Sequence, residues 1–587
     1  MTDTRPLDTF SRFWPLVCVA ALLGYTFRLF HFAYFSLDDF NNLFLIQNLK
    51  GGELLRHVLD PGSALFRPLG LAAYWLVFHA ADLDPAPYHA VAWSLHTINV
   101  ALLYIILRDV VKSHAGAAVG AMLFACQASF SEIFFSFGTI FELLSTLLFF
   151  SALLAYLRLR SRAWQTLNIS LLFFFAMKAK EMAITLPLVL MTYDVIVTRR
   201  EHRGVGFRHW GLRTLVVMSI PILLACWFVA MKGHEISVDR TNPYYMELSL
   251  RTAIDGYGWY ANRLSNLNTH WSVYVATITV AILVAVRTGQ RQVVFFLAYI
   301  ALTFLPVIFL VNHRFPFYWY LPFLGVAGVA ASLVKIVNDC LSRVVTYRWL
   351  TTAGLIVLPF VSRELYFQQK AHGTVARVAF QTAADDFRPF ISGLRALSTP
   401  GPNSTLFFTS MPLHFDETRL LSAVHVALQR KDVSVLLVSP PPAQDDVGVE
   451  PEGPHPIKDV LRPGDNVVVL RYEKRRLFDD TRRFASNPQA FLHCSISTLH
   501  SIRLSETDVV AGRDAYTLFV SGIQHVHARF LYKLNNEPAR IFSAQLDGDG
   551  RATFTVAADT PKGIYRFLGF NIGGAEWIRS DAAITVH

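Results

Sequence analysis

Long apolar runs separated by short basic loops fill the first 360 or so residues, and shorter, alternating runs fill the rest. The run "PLVCVAALLGYTFRLFHFAYF" follows Arg5 and Arg12 and has no small-residue cleavage site, so it predicts a retained first membrane span over roughly 14–35. "ALFRPLGLAAYWLVFHAADL" starts at Arg67-Pro68 and ends in acids with no basic flank, which predicts a helix lying at the outer interface or re-entering. Apolar runs from "YHAVAWSLHTINVALLYIILRDVVK" to "YRWLTTAGLIVLPFV" then alternate in direction if each arginine-rich loop is cytoplasmic. The pattern predicts about eleven spans, with the N-terminus inside and the C-terminal part outside.

From about residue 365 the period changes. "NSTLFFTSMPL", "DVSVLLVSP" and "DNVVVLRYE" read as buried strands around a helix, "DETRLLSAVHVALQRK". After about 500, "AYTLFVSG", "ARFLYKL", "RIFSAQLD", "RATFTVAA", "IYRFLGF" and "AAITVH" alternate between turn signals, as in an Ig-like β-sandwich. The expected organisation is a polytopic helical membrane domain at 1–364, with a first outer loop at 36–87. An extracytoplasmic α/β domain at 365–499 and a β-sandwich at 500–587 follow.

Composition agrees with the pattern. The 587 residues are 53% hydrophobic and only 16% charged, with a mean hydropathy of +0.37 and 47 phenylalanines. Soluble domains carry about 25% charged residues. The net charge of +10 resides in loops between apolar spans, which favours cytoplasmic loops over nucleic-acid binding. Of the five cysteines, only Cys494 falls in the strand-rich part, so neither an intradomain disulfide nor zinc spacing is expected there.

The predicted outer face collects polar residues. Asp38 and Asp39 follow the first span, Arg67 opens the interfacial segment, and Glu132 and Glu142 flank an outer turn. Lys178, Lys180 and Glu181 lie between two apolar runs, and Asn312, His313 and Arg314 precede "FPFYWYLP". Each has a plain structural alternative: snorkelling lysines, an interfacial aromatic belt, or a helix cap at Asp38-Asp39. Taken together, the acids could hold a divalent metal or deprotonate a hydroxyl, and the cations could neutralise a phosphate. A lipid-linked phosphate at the membrane surface satisfies both sets.

Asp-Asp in the first outer loop, "RPL", an outer "SE", "KE" between two spans and "R…YxYLP" together resemble the layout of GT-C glycosyltransferases, over about residues 10–345. More narrowly, the chain looks like transmembrane O-mannosyltransferase-like proteins, which use a polyprenyl-phosphate sugar. The resemblance implies Asp38 or Asp39 as base or metal ligand, with Glu132 as a second acid. It also implies donor binding by Arg67, Lys178, Lys180, Arg314, Tyr318 and Tyr320, with Glu181 orienting Lys180. A divalent metal on Asp38, Asp39 and Glu132 is compatible with the pattern but not demanded, and no nucleotide or redox cofactor is expected. The sequence departs from the family in lacking a tetratricopeptide arm and in reading Gly138-Thr139 where relatives carry an arginine.

The expected activity is inverting transfer of a sugar, with mannose as the candidate the resemblance suggests, to a glycan, lipid or protein acceptor on the extracytoplasmic face. A bacterial inner membrane is the expected location. Two other classes compete: a flippase for lipid-linked saccharides, and a non-catalytic scaffold presenting the sandwich. The flippase reading expects mid-membrane polar residues in repeated halves, whereas here the polar set clusters at one face.

Overall fold

A computed structural model describes residues 33–341, apart from 128–130, 199–206, 233–243, 266–270 and a few single positions. From 384 to 586 it describes a helix, an α/β part and a set of strands, with gaps of which 440–466 is the longest. The expected first span, nearly all of it, and the expected last span at 347–361 lie outside the described residues. The chain divides near residue 382 into two compact units.

The first unit is helical. Among the described residues, six helical stretches are long and apolar enough to cross a membrane: Pro85–Val111, Phe137–Arg158, Glu181–Thr198, Thr214–Met231, Arg291–Ile308 and Phe323–Cys340. The segment after Arg67 is a helix of 14 residues, Pro68–Ala81. At 1.5 Å per residue it reaches about 21 Å, short of a bilayer core of about 30 Å. The run after His114 is likewise only a 12-residue helix, His114–Ala125. The stretch from 181 to 198 is not one regular helix. It starts as a 3₁₀ turn at Glu181–Thr185, continues as α-helix at Leu186–Tyr193 and ends as a π-turn at Asp194–Thr198.

Small residues let the central helices approach closely. Gly116 and Gly120 share one face of their helix, and so do Ala327 and Ala331 of theirs. A Cβ added at Gly116 would lie 2.4 Å from the Ala331 carbonyl oxygen, and one at Gly120 would lie 2.8 Å from that of Ala327. This is the small-xxx-small packing used where burial from water cannot drive helix association.

Ion pairs fix which helix ends lie together. Arg158 Nε is 2.7 Å from Asp109, which Arg108 also meets at 3.0 Å, so the 85–111 and 137–158 helices finish on the same basic side. Their starting ends therefore share the opposite side. There Ser36 Oγ is 2.9 Å from Ser136 Oγ, which joins the first loop to the start of the 137–158 helix.

The second unit contains a five-stranded sheet of β1 (Thr405–Ser410), β2 (Ser434–Ser439), β3 (Val467–Glu473), β4 (Arg476–Asp479) and β5 (Ser495–Ser497), in the order β4-β3-β1-β2-β5. β1 is parallel to β2 and β3, as the intervening helix Glu417–Leu428 requires for the β1–β2 crossover. Beyond it run β6 (Ile502–Leu504), β7 (Asp508–Val509), β8 (Ala515–Val520), β9 (His527–Leu534), β10 (Arg540–Gln545), β11 (Arg551–Thr555), β12 (Gly563–Ile572), β13 (Ile578–Arg579) and β14 (Ala583–Val586). They form one sheet in the order β10-β9-β12-β14-β7, with β13 on β12, and a second in the order β11-β8-β6.

Candidate active site

The first outer helix, Leu37–Gln47, is capped by Ser36 and has Leu37, Asp38 and Asp39 in its first turn. Ser36 and Asp39 form a reciprocal cap: the Ser36 N–H donates to Asp39 Oδ2 at 2.6 Å, and the Asp39 N–H points back to Ser36 Oγ at 3.4 Å. The Tyr74 hydroxyl, from the 68–81 helix, donates to Asp39 Oδ1, and Asn42 Nδ2 donates to Tyr74 at 3.3 Å. Asp39 is thus fully buried, and that burial raises its carboxyl to about 6 against the opposing hydrogen bonds from Tyr74 and Ser36. Asp38, one residue earlier on the first turn, is exposed.

Gly138 lies over this pair. Its N–H donates to Ser136 Oγ at 3.2 Å, and a Cβ there would stand 3.1 Å from Ser136 Oγ, 3.7 Å from Asp39 Oδ1 and 3.8 Å from Asp38 Cβ. Glu132 sits just before this turn on a short helix, Ser131–Phe135, where burial raises its carboxyl. Among the described residues no three of His, Cys, Asp and Glu are grouped to hold a metal ion. Both Asp39 oxygens accept hydrogen bonds, one from the Ser36 N–H and one from the Tyr74 hydroxyl.

The cations occupy two layers. Arg67 precedes Pro68 with φ 48° and ψ 54°, a left-handed conformation that a side chain before proline rarely adopts. Its guanidinium meets Glu181 in a two-pronged ion pair, with Nε 3.1 Å from each carboxylate oxygen and Nη2 2.8 Å from Oε2. It also lies 4.2 Å over the Phe66 ring. Lys180, the extended residue between the 162–179 helix and the 181–185 turn, is only 3% exposed and pairs with buried Glu142. The Tyr318 ring, 4.5 Å from the ammonium, and the Phe317 ring, 5.4 Å away, cover it. Glu142, Lys180, Phe317, Tyr318 and Tyr320 line a cavity of 10 Å³, room for one water.

The aromatic cover is itself anchored. Trp319 Nε1 donates to the Tyr260 carbonyl at 2.8 Å, and the 309–311 segment bonds to 245–247 through Glu247 N–H to Phe309 O at 3.0 Å and Val311 N–H to Tyr245 O at 3.3 Å. That pairing sets Tyr244 against His313, with ring centroids 4.5 Å apart. Burial, then the charges of Lys180 and Arg67, push His313 down to about 4, with Asp38 pulling the other way. Tyr244 in turn feels Arg67, Glu181 and Asp38. Asp38, Arg67, Lys180, Glu181, Tyr244, His313 and Tyr318 therefore form one electrostatic cluster.

Other expected residues fall elsewhere. Lys178 donates to the carbonyl oxygens of Asp60 and Pro61 at an exposed edge. Arg314 Nε donates to the Leu310 carbonyl at 3.2 Å. Tyr320 is buried inside the bundle, where His96 Nδ1 lies 2.9 Å and Asn99 Nδ2 3.1 Å from its hydroxyl. Glu181 faces Arg67 rather than orienting Lys180, which has Glu142 as its carboxylate. Tyr74, Ser36 and Ser136 were missed from sequence. The Ser-x-x-Asp spacing signalled the cap, but nothing local signalled Tyr74.

No protein-family model matches the chain. A crystal structure of ArnT from Cupriavidus metallidurans, bound to undecaprenyl phosphate, aligns with a TM-score of 0.42 and 13% identity, covering 73% of this chain and 86% of that one. The protein O-mannosyl-transferase Tmtc1 of Drosophila melanogaster is 28% identical over 142 residues, 24% of this chain and 16% of that relative's length. Over that stretch the chain is similar to an O-mannosyltransferase, the family that its outer-face residues resemble.

Proposed function

We propose that the chain is a GT-C-type glycosyltransferase that moves a sugar from a polyprenyl-phosphate donor to a hydroxyl acceptor. The reading rests on one observation: an exposed acid, Asp38, stands beside a buried, capped acid and shares a field with Arg67 and Lys180. The similarity to a protein O-mannosyl-transferase supports it and makes mannose the first sugar to test. The basic helix ends lie opposite the site, so positive loops inside would put the chemistry on the extracytoplasmic face.

In the proposed step the acceptor oxygen attacks the anomeric carbon while Asp38 takes its proton. The bond from that carbon to the phosphate oxygen breaks, the configuration inverts, and the lipid phosphate leaves with the bonding pair. Arg67, clamped by Glu181, is pre-placed to meet the developing charge. Such a donor contributes about 3 kcal/mol at comparable sites. Lys180 adds positive potential from beneath the Phe317–Tyr318 layer. Asp39 acts as a positioning residue that holds the first turn, and hence Asp38, in place.

Purified wild type should release sugar from a polyprenyl-phosphate donor, and Asp38→Asn should lose about 10²–10⁴-fold of that rate. Transfer by Asp38→Asn at the wild-type rate would remove Asp38 from the mechanism.

A further inference from the structure

We propose that His313 is a ligand of the donor phosphate and takes up a proton from solvent as the donor binds. The proposal rests on the reading of this site as one for a lipid-linked sugar phosphate. It starts from placement. The imidazole is half-buried in an aromatic corner, 4.5 Å from the Tyr244 ring and 4.6 Å, edge-on, from that of Phe315. Tyr318, the ring that covers Lys180, is 6.1 Å away. Among the described residues its ring nitrogens make no hydrogen bond. An oriented imidazole with unused nitrogens, sharing a field with Arg67 and Lys180, is suited to an anionic oxygen.

The charged and titratable groups around it come from every neighbouring element. Lys180 and Glu181 belong to the 180–185 turn, Arg67 to the start of the 68–81 helix, and Asp38 to the first outer helix. Tyr244 belongs to the paired segment, and Arg314 and Tyr318 to its own stretch. Without donor, burial and the two cations outweigh Asp38 and hold the ring neutral, with its protonation pushed down to about 4. A phosphate against Arg67 offsets the field of the two cations and adds an acceptor, and both effects raise the affinity of the ring for a proton. The bound state then carries more protons than the free state, so donor affinity rises as pH falls toward the free-state value.

The test is calorimetric titration of the detergent-solubilised full chain with a polyprenyl-phosphate mannose and no acceptor, in buffers of different ionisation enthalpy. A phosphodiester does not titrate near neutrality, so any proton taken up belongs to the protein. Wild type should take up a substantial fraction of one proton, and its Kd should tighten about three- to tenfold between about pH 8 and about pH 6. His313→Gln should bind more weakly, with the uptake and the pH slope lost. His313→Arg should keep the affinity without either. Uptake in His313→Gln equal to wild type, or wild-type binding with no uptake, would overturn the proposal while leaving the donor site standing. Failure of wild type to bind the donor at any pH would overturn both.

Discussion

At position 39 the carboxylate accepts from the Ser36 N–H and the Tyr74 hydroxyl and is fully buried; at position 38 it is exposed on the same helical turn. The carboxyl of Asp39 is raised from 3.8 to about 6, so the folded chain holds a proton there that the unfolded chain gives up. Its contribution to stability is complete below about pH 4 and is lost as pH rises through about 6, a span of about 3 kcal/mol. Asp39→Asn keeps an acceptor for Ser36 and should flatten the dependence of Tm on pH across that window. Equal slopes in wild type and Asp39→Asn would contradict the burial argument. The sequence made the acid pair legible but could not say which acid was buried. That depends on Tyr74, 35 positions away and on another helix.

Glu181 and Arg67 show the same limit between elements. Lys180-Glu181 reads locally as an ion pair, yet the helix breaks at Lys180, and the two side chains meet Glu142 and Arg67 instead. Neither partner can be found by periodicity, because each pair joins residues more than 30 positions apart. Because Glu181 holds Arg67 in a two-pronged pair, Glu181→Gln should raise KM for the donor about tenfold with little change in Tm, and Glu181→Asp should recover part of the loss. A fall in Tm with unchanged KM would assign Glu181 to stability alone. Helix packing offers a separate check. A side chain at Gly116 would strike the Ala331 carbonyl, so Gly116→Leu should lower the detergent Tm by an amount corresponding to about 1–3 kcal/mol or more. An unchanged Tm would contradict the close approach of these helices.

Across the whole molecule, the apolar runs made the helical class legible because spanning helices must satisfy their own backbone in lipid. They marked where helices lie better than where helices break. The described helix at His114–Ala125 has 12 residues, and the stretch from 181 to 198 changes helix type twice, boundaries that hydropathy alone does not mark. The ion pairs at Asp109 place the arginine-rich ends on one side and the Asp38–Arg67–Lys180 cluster on the other. In a cysteine-free background, Gly62→Cys should react with an impermeant maleimide on intact cells, and Arg160→Cys only after permeabilisation. The reverse pattern would invert the topology and place the chemistry in the cytoplasm.

The most direct test of the central claim is sugar release by the purified full chain from polyprenyl-phosphate monosaccharides, with wild type beside Asp38→Asn. The account predicts release by wild type from one donor of the panel, mannose first, and a loss of about 10²–10⁴-fold in a folded Asp38→Asn protein. Equal release by the two proteins, or binding of the donor by wild type with no release in the presence of acceptor glycans, would contradict it and favour a carrier of lipid-linked sugars over a transferase.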